Sequence, residues 1–205
     1  MNLNLQQKKV LITGGSKGIG YACAELFLSE GAQVVIVSSQ AQSVNLATQQ
    51  LQQVYGDRIQ GHVVDLSALD AHSKMADLLL DIDILVNNTG GPKAGMIEAA
   101  TEEEFGKAFN QHLIGNHILV QAFIPGMKAK NYGRIINIIS SSVRIPIENL
   151  GVSNTIRAAV ASWSKTFSNE LGVFGITVNS LLPGFIDTQR IRSLIEANSA
   201  RRGVP

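Results

Sequence analysis

The 205-residue chain is poor in cysteine, in aromatic residues and in net charge. Cys23 is the only cysteine, which excludes an internal disulfide and favours a reducing compartment. The formal net charge is +1 and only 5% of the residues are aromatic. The chain therefore lacks the basic stripe and the aromatic platform of nucleic-acid-binding modules, and we expect no nucleic-acid partner.

Long hydrophobic runs are also missing. Apolar runs such as QVVIVSS and RIINIIS have the length of a strand, whereas a membrane-spanning helix needs about 20 apolar residues. The opening segment MNLNLQQKKV is polar and shows no signal peptide. From these absences we expect no membrane partner and a cytoplasmic location.

Short β-branched runs alternate along the chain with longer helical patterns. The runs predict strands at 9–13, 33–38, 59–66, 83–88, 134–140 and 176–182, and the patterns predict helices at 18–31, 43–56, 68–80, 101–129 and 151–173. Thr101 and Glu104 have the spacing of a capping box at the start of the fourth helix. Near-continuously apolar strands in this alternation predict the α/β class: one Rossmann-type domain over 1–205, with a doubly wound parallel sheet and helices on both faces.

The segment TGGSKGIG at 13–20 leaves the first predicted strand and opens the first helix. Gly14 permits a tight turn, whereas Gly18 and Gly20 let the backbone approach a phosphate closely. The free N–H groups and the positive dipole end of the helix favour that phosphate. The loop therefore predicts dinucleotide binding, although a tight turn without a ligand would use the same glycines.

The spacing Gly-x-x-x-Gly-x-Gly resembles the cofactor loop of the short-chain dehydrogenase/reductase family. Further agreement lies in Asp65 and in NNTGG (87–91), GRIINIISS (133–141) and VNSLLPGFIDT (178–188). The resemblance spans essentially the whole chain and looks closest to the 3-oxoacyl-acyl-carrier-protein reductase-like branch. It implies an NAD(P)-dependent oxidoreductase that acts on CH–OH or C=O groups, reducing a ketone or a 3-oxoacyl thioester. The implied cofactor contacts are Thr13, Gly14, Ser16, Lys17, Gly18, Ile19, Gly20, Ser38, Ser39, Asp65, Asn88, Gly90, Arg157, Pro183, Gly184, Ile186 and Thr188.

The residues after the second predicted strand favour NADP over NAD. NAD-binding proteins usually place an acid there for the ribose hydroxyls, but this chain has VSSQ at 37–40. Ser38 and Ser39 can donate hydrogen bonds to a 2′-phosphate, and Lys17 can add positive charge. The alternative is that Ser38, Ser39 and Lys17 are ordinary turn residues and that Asp65 only caps a strand end.

The catalytic positions implied by the resemblance depart from the family pattern. The register of GRIINIIS puts the family serine at Ser140, its tyrosine at Ser153 and its lysine at Arg157. HLIG at 112–115 puts His112 in place of the family asparagine. The serine is therefore retained and the other three residues are changed.

These changes alter the acid–base chemistry. A tyrosine titrates near pH ~10, and a cation can lower that value, whereas a serine is a far weaker acid. Arg157 either holds the cofactor ribose or a substrate carboxylate, or it is a surface or interface arginine. His112 either supplies the proton with an ordinary pKa of about 6.5, alone or through water with Ser140, or is a packed or solvated helix histidine.

Two functions remain open from the sequence. One is an NADP(H)-dependent reductase with a divergent active site, and the other is a catalytically silent NADP(H)-binding sensor or assembly partner. No cysteine or histidine spacing suggests a metal site. The resemblance also implies a homodimer or homotetramer packed through helices 101–129 and 151–173. The given sequence stops soon after the sixth strand. If this is its true end, we expect the family's lid and last strand to be absent and that strand to form an exposed sheet edge; the alternative is a missing or disordered continuation.

Overall fold

The computed structural model describes residues 3–79 and 81–203, and its sheet follows the apolar runs of the sequence. The strands are β1 (Lys9–Thr13), β2 (Gln33–Ser38), β3 (Ile59–Val63), β4 (Ile84–Asn87), β5 (Gly133–Ile138) and β6 (Ile176–Leu181). All neighbouring pairs are parallel, and the order is β3-β2-β1-β4-β5-β6. This order confirms the predicted doubly wound sheet, with its switch point between β1 and β4.

Seven helices are long enough to label within the described residues. They are α1 (Gly18–Ser29), α2 (Ala41–Tyr55), α3 (Leu69–Leu78), α4 (Glu102–Phe109), α5 (Gly115–Ala129), α6 (Gly151–Leu171) and α7 (Gln189–Arg202). All predicted helices are present, and α7 is an addition that the sequence analysis did not assign. No helix of the described part is long and apolar enough to cross a bilayer.

Two apolar clusters cover the two faces of the sheet. Successive strand residues point to opposite faces, so Leu11 packs with α3, α5 and α6, while Ile12 packs with α1 and α2. Both side chains are fully buried. The strands are therefore apolar on both faces, which explains why they lack a polar–apolar alternation in the sequence.

The segment between residues 102 and 129 is one long helical region interrupted by a single turn of π-helix at Asn110–Ile114. At its start, the Thr101 hydroxyl accepts a hydrogen bond from the Glu104 N–H (3.2 Å), and the Glu104 carboxylate accepts one from the Thr101 N–H (3.1 Å). The predicted capping box is confirmed. The α4 half packs against the start of α6, whereas the α5 half packs against the sheet.

A buried chain of polar side chains fixes the ends of β4 and β5 relative to α6. Asn87 donates a hydrogen bond from Nδ2 to Asn137 Oδ1 (2.8 Å), and Asn137 donates one from Nδ2 to Ser164 Oγ (2.9 Å). Ser164 in turn donates to the Val160 carbonyl (2.7 Å). Because these three hydrogen bonds join buried groups, they hold two strand ends and one helix in a defined arrangement, although Asn87 Oδ1 itself has no hydrogen-bond partner among the described residues.

The chain beyond β6 differs in part from the expectation of a missing lid. β6 lies at an edge of the sheet, as expected, and no strand follows it among the described residues. However, α7 begins beside the glycine loop: a Cβ on Gly18 would lie 3.3 Å from Thr188 Cγ2. Arg190 donates a hydrogen bond from Nη2 to the Pro92 carbonyl (2.6 Å). The first turn of α7 thus bridges the loops after β1 and β4.

Candidate active site

A cleft of about 770 Å³ opens at the carboxyl ends of the strands, beside the junction of β1 and β4. Its walls come from the glycine loop, the end of β2, the loops after β4, β5 and β6, and the first turns of α6 and α7. The predicted site residues that line it are Gly14, Ser16, Lys17, Gly18, Ile19, Ser38, Ser39, Asn88, Gly90, Ser140, Ser153, Arg157, Pro183, Gly184, Ile186 and Thr188. The fold therefore brings the cofactor and catalytic candidates into one space.

The glycine loop is shaped for close approach of a ligand to the backbone. Gly14 has a positive φ of 59°, and a Cβ there would overlap the Asn88 carbonyl oxygen. A Cβ on Gly20 would overlap the Gly14 carbonyl oxygen. The N-cap of α1, Lys17, makes no side-chain capping bond, and the first turn contains no acid. The backbone N–H groups in the first turn of α1 are therefore not capped by a side chain. Together with the positive end of the helix dipole, they fit the diphosphate of a dinucleotide.

Thr13 and Gly20 support this loop from behind and do not line the cleft. The Asn88 N–H donates to Thr13 Oγ1 (2.8 Å), and Asn88 Nδ2 donates to the carbonyls of Thr13 (3.3 Å) and Gly14 (3.1 Å). Thr13 is itself fully buried. Thr13 and Gly20 thus position the glycine loop, and the cofactor contacts expected of them stay a prediction.

Asp65 is also placed away from the cleft. Its carboxylate accepts a hydrogen bond from the Ser67 N–H (2.9 Å), and this bond lowers the pKa of Asp65. The turn ends β3 at Val63, three residues earlier than predicted. Asp65 is exposed and makes the strand-end hydrogen bond of the alternative interpretation, and the adenine contact expected of it stays a prediction.

The wall beside the end of β2 carries serines and a cation. Ser38 and Ser39 line the cleft together with Lys17 and Gln40. Lys17 donates a hydrogen bond from Nζ to Gln40 Oε1 (3.2 Å), which holds the ammonium group near the two serines. This wall contains donors and a positive charge but no carboxylate among its described residues, and it fits a phosphate on the adenosine ribose.

Ser140 and Ser153 face the cleft from two different elements. Ser140 follows β5, and its Oγ accepts a hydrogen bond from the Ser142 N–H (3.1 Å), which leaves its own O–H free to donate. Ser153 lies in the first turn of α6 and is half-buried. That helix starts at Gly151, where a Cβ would stand 2.8 Å from the Ile97 backbone nitrogen. This close contact fixes the position of Ser153.

Arg157 is buried, with only 8% of its surface exposed. It donates from Nη1 to the Ile138 carbonyl (2.9 Å) and from Nη2 to the Thr89 carbonyl (3.4 Å). Burial, and then the like charge of Arg190, lower the pKa of Arg157 to about 10. The guanidinium stays charged at neutral pH and lines the cleft, so the interpretation as a surface arginine is wrong.

His112 lies at the centre of the π-turn and is fully buried behind Thr89. Its Nδ1 shares a hydrogen bond with Thr89 Oγ1 (2.7 Å), and Asn116 Nδ2 donates to its backbone carbonyl (2.6 Å). Burial, and then the charge of Arg157, lower the pKa of His112 to about 3. The hypothesis of a proton donor with an ordinary pKa is therefore corrected, because His112 is neutral at cellular pH and does not line the cleft.

We expect His112 to make the protein less stable in mild acid. The unfolded histidine takes up a proton below pH ~6.5, whereas the folded one resists it until about pH 3, so the free energy of unfolding falls as the pH drops through this window. Between pH ~7.5 and ~5.0 the loss is about 2 kcal/mol more in the wild type than in His112→Asn. Urea unfolding at both pH values measures this difference. Equal losses in the two proteins would contradict a buried neutral His112.

Several cleft residues were missed by the sequence analysis. Thr89 lies in the stretch NNTGG but was given no role of its own, yet it contacts both His112 and Arg157. Gln40 and Gln111 line the cleft without belonging to any motif. Arg190 was missed because no element was assigned after β6, although Thr188, two residues earlier, had been included in the cofactor site.

Comparison with known proteins agrees with this geometry. Residues 8–199 match the model of the family described as short chain dehydrogenase. The chain belongs to the short chain dehydrogenase family. This short chain dehydrogenase is accordingly an NAD(P)-dependent oxidoreductase that acts on carbonyl or hydroxyl groups.

Its relatives include named reductases, one of them solved with NADPH. The chain is 34% identical over 206 residues to the uncharacterized oxidoreductase YvrD of Bacillus subtilis, covering 99% of this chain and 78% of the relative. It is 34% identical to the 3-oxoacyl-[acyl-carrier-protein] reductase FabG of Chlamydia trachomatis, covering 98% of this chain and 84% of that protein. Among solved structures, L-sorbose reductase from Gluconobacter frateurii complexed with NADPH and L-sorbose has a TM-score of 0.92 at 29% identity, covering 99% and 79% of the two chains.

Proposed function

We propose that this short chain dehydrogenase is an NADP(H)-dependent reductase of a ketone or a 3-oxoacyl thioester. The observation that carries the proposal is the shared cleft: the glycine loop, Ser140, Ser153 and the buried Arg157 all line one space. Relatives named as 3-oxoacyl-[acyl-carrier-protein] reductases, and a solved relative complexed with NADPH, support the reaction class and the cofactor.

The residues of the cleft divide into three groups toward the cofactor. The backbone of the glycine loop and Thr188 would hold the diphosphate. Lys17, Ser38 and Ser39 would hold the 2′-phosphate. Asn88, Gly90, Pro183, Gly184, Ile186 and Arg157 would lie on the nicotinamide side. When bound, NADPH supplies a hydride to the carbonyl carbon, and the protein has to stabilise the oxygen that becomes negative.

Ser140 and Ser153 stabilise that oxygen. Their hydroxyls donate hydrogen bonds to it, and the fixed charge of Arg157 stabilises it in a cleft where the dielectric is low. Ser153 passes its proton to the oxygen and regains one from water in the cleft. Because a serine is a weaker acid than a tyrosine, we expect this proton step to be slower than in relatives with the Tyr–Lys pair.

A silent NADP(H)-binding protein is the second candidate, and one observation favours it. No tyrosine, histidine or cysteine is among the described residues that line the cleft. The cleft therefore offers no side chain that ordinarily titrates between pH ~6 and ~10. Binding and turnover have to be measured separately.

The first test pairs a cofactor titration with a turnover assay. We expect NADPH to bind at least about tenfold more tightly than NADH, since the wall beside β2 offers charge-assisted hydrogen bonds to a phosphate. The change in NADPH fluorescence measures the binding. NADPH oxidation is then followed with 3-oxobutanoyl thioesters and small reactive ketones. Tight binding without turnover across this panel would favour the silent protein over the reductase.

A matched variant isolates the cofactor preference. Ser39→Asp places an acid beside the 2′-phosphate site, and we expect it to weaken NADPH binding about tenfold while NADH binding is unchanged or improved. If NADPH and NADH affinities fall together, the wall beside β2 does not contact the 2′-phosphate.

We also propose a cytoplasmic homodimer or homotetramer. The single half-buried Cys23 suits a reducing compartment. The helices expected at the interface, 101–129 and 151–173, are joined by ring contacts of His117 with Trp163 and Phe167. Such contacts stiffen the pair of helices, which supports their use as one packing face.

A further inference from the structure

Two arginines, the buried Arg157 and the exposed Arg190, converge on the cleft that Glu148 also lines. Arg157 and Arg190 come from different helices, and no carboxylate of the described residues lies within the 4.0 Å of an ion pair from either guanidinium. The hydrogen bonds of both groups go to backbone carbonyls of Ile138, Thr89 and Pro92. A buried cation that lacks an acid is costly, and such groups are usually paired or bind an anion.

The two cations meet at Gly91. A Cβ on that glycine would stand 3.5 Å from Arg190 Nη2 and 3.9 Å from Arg157 Nη2. Both Nη2 nitrogens therefore approach the same glycine, and Gly91 itself lines the cleft. A carboxylate bound beside Gly91 can accept hydrogen bonds from both guanidinium groups, which is the pairing that arginine favours.

The position of the two guanidinium groups relative to Ser153 restricts the size and chemistry of the ligand. Ser153 and Arg157 are four residues apart in α6, so they share one face of the helix with Cβ atoms about 6 Å apart. A carbonyl oxygen at the serine and a carboxylate at the arginine pair can therefore belong to one short molecule. The thioester group of a 3-oxoacyl thioester is uncharged, so it would not pair with the two guanidinium groups.

Resting on the proposed reductase function, we infer that Arg157 and Arg190 form a carboxylate site and that the substrate is a short 2-oxo or 3-oxo acid. The reaction transfers a hydride to the keto carbon and a proton to its oxygen, which gives the hydroxy acid and NADP⁺. The carboxylate is unchanged, and its role is to orient the carbonyl toward Ser140 and Ser153.

The test compares acids with their uncharged esters. Calorimetric titration of 3-oxobutanoate, 2-oxobutanoate and their methyl esters into the protein, with and without NADP⁺, should show the acids binding at least about tenfold more tightly. Arg190→Gln should remove this preference by weakening the acids and sparing the esters. Arg192→Gln is the matched control, because Arg192 is also exposed on the same helix but is paired with Asp187 (2.8 Å) and does not line the cleft. It should keep the preference.

The NADPH dissociation constant of each variant shows whether these arginines bind the carboxylate of the substrate or the diphosphate of the cofactor. Arg190→Gln should leave it unchanged. If the variant weakens NADPH by the factor lost for the acids, the anion is the cofactor diphosphate and the inference is overturned. Equal binding of acids and esters to the wild type also overturns it. The wild type could also bind acids more tightly than esters, lose this preference in Arg190→Gln, and yet bind no NADPH. That result would support the carboxylate site and contradict the proposed reductase function.

Discussion

Gly14→Ala is expected to lower the affinity for NADPH by at least about 100-fold and to destabilise the fold. The added Cβ would overlap the Asn88 carbonyl oxygen, at a residue whose φ is 59°. The positive φ costs about 1–2 kcal/mol for alanine, and forced overpacking costs about 1–3 kcal/mol more. The loop has to shift, and the N–H groups that should face the diphosphate shift with it. Fluorescence titration of NADPH and urea unfolding measure the two effects.

Gly126→Ala is the control for this variant. Gly126 lies inside α5, and a Cβ there meets nothing within 4 Å. Because glycine in a helix interior is worse than alanine by about 0.5–1 kcal/mol, the variant should be slightly more stable and should bind NADPH normally. If Gly14→Ala bound NADPH as tightly as Gly126→Ala, the glycine loop would not be the diphosphate site.

Combining Ser153→Tyr with Arg157→Lys is expected to raise the turnover of an uncharged ketone by about 100-fold. A positioned general acid contributes about 10²–10⁴ to the rate. The double change places a phenol beside an ammonium group, which lowers the pKa of the phenol toward the working pH. Ser153 borders an open cleft, so there is space for the larger ring. NADPH oxidation at saturating ketone measures the gain.

The single variants show whether the pair acts together. Ser153→Tyr alone should give a smaller gain, since the Arg157 guanidinium is held by the Ile138 and Thr89 carbonyls. Arg157→Lys alone should give none, because no phenol is present. If the double variant binds NADPH but turns over no faster than the wild type, the serines are not where the carbonyl reacts.

The sheet could be predicted because its strands are buried on both faces and each is followed by a helical pattern. Strand ends were less predictable, since they depend on single side-chain bonds. β3 stops at Val63 because Asp65 binds the Ser67 N–H, and a sequence cannot show whether an aspartate turns inward to the backbone or outward to a ligand.

The lining of the cleft followed from the glycine spacing and the strand register, but the electrostatics did not. The sequence around His112 is that of an ordinary helix. Only the fold shows that the π-turn buries this histidine beside Arg157. Arg190 lies in a helix with a largely polar sequence, where no periodic apolar face marks the element. Its approach to Gly91 depends on how distant loops are brought together.

The π-turn also restricts which changes of length this protein tolerates. A π-turn holds one residue more than an α-helical turn, so losing one residue at Asn110–Ile114 can leave the two flanking helices in register. Losing one residue from the α-helical turns between Ala108 and Phe123 would instead rotate the following helix by about 100°, and the contacts of Ala108 with α6 and those of Phe123 with the sheet could then not both persist. Evolution can replace side chains along this segment one at a time, but we expect a deletion of a single codon to be tolerated only at the π-turn.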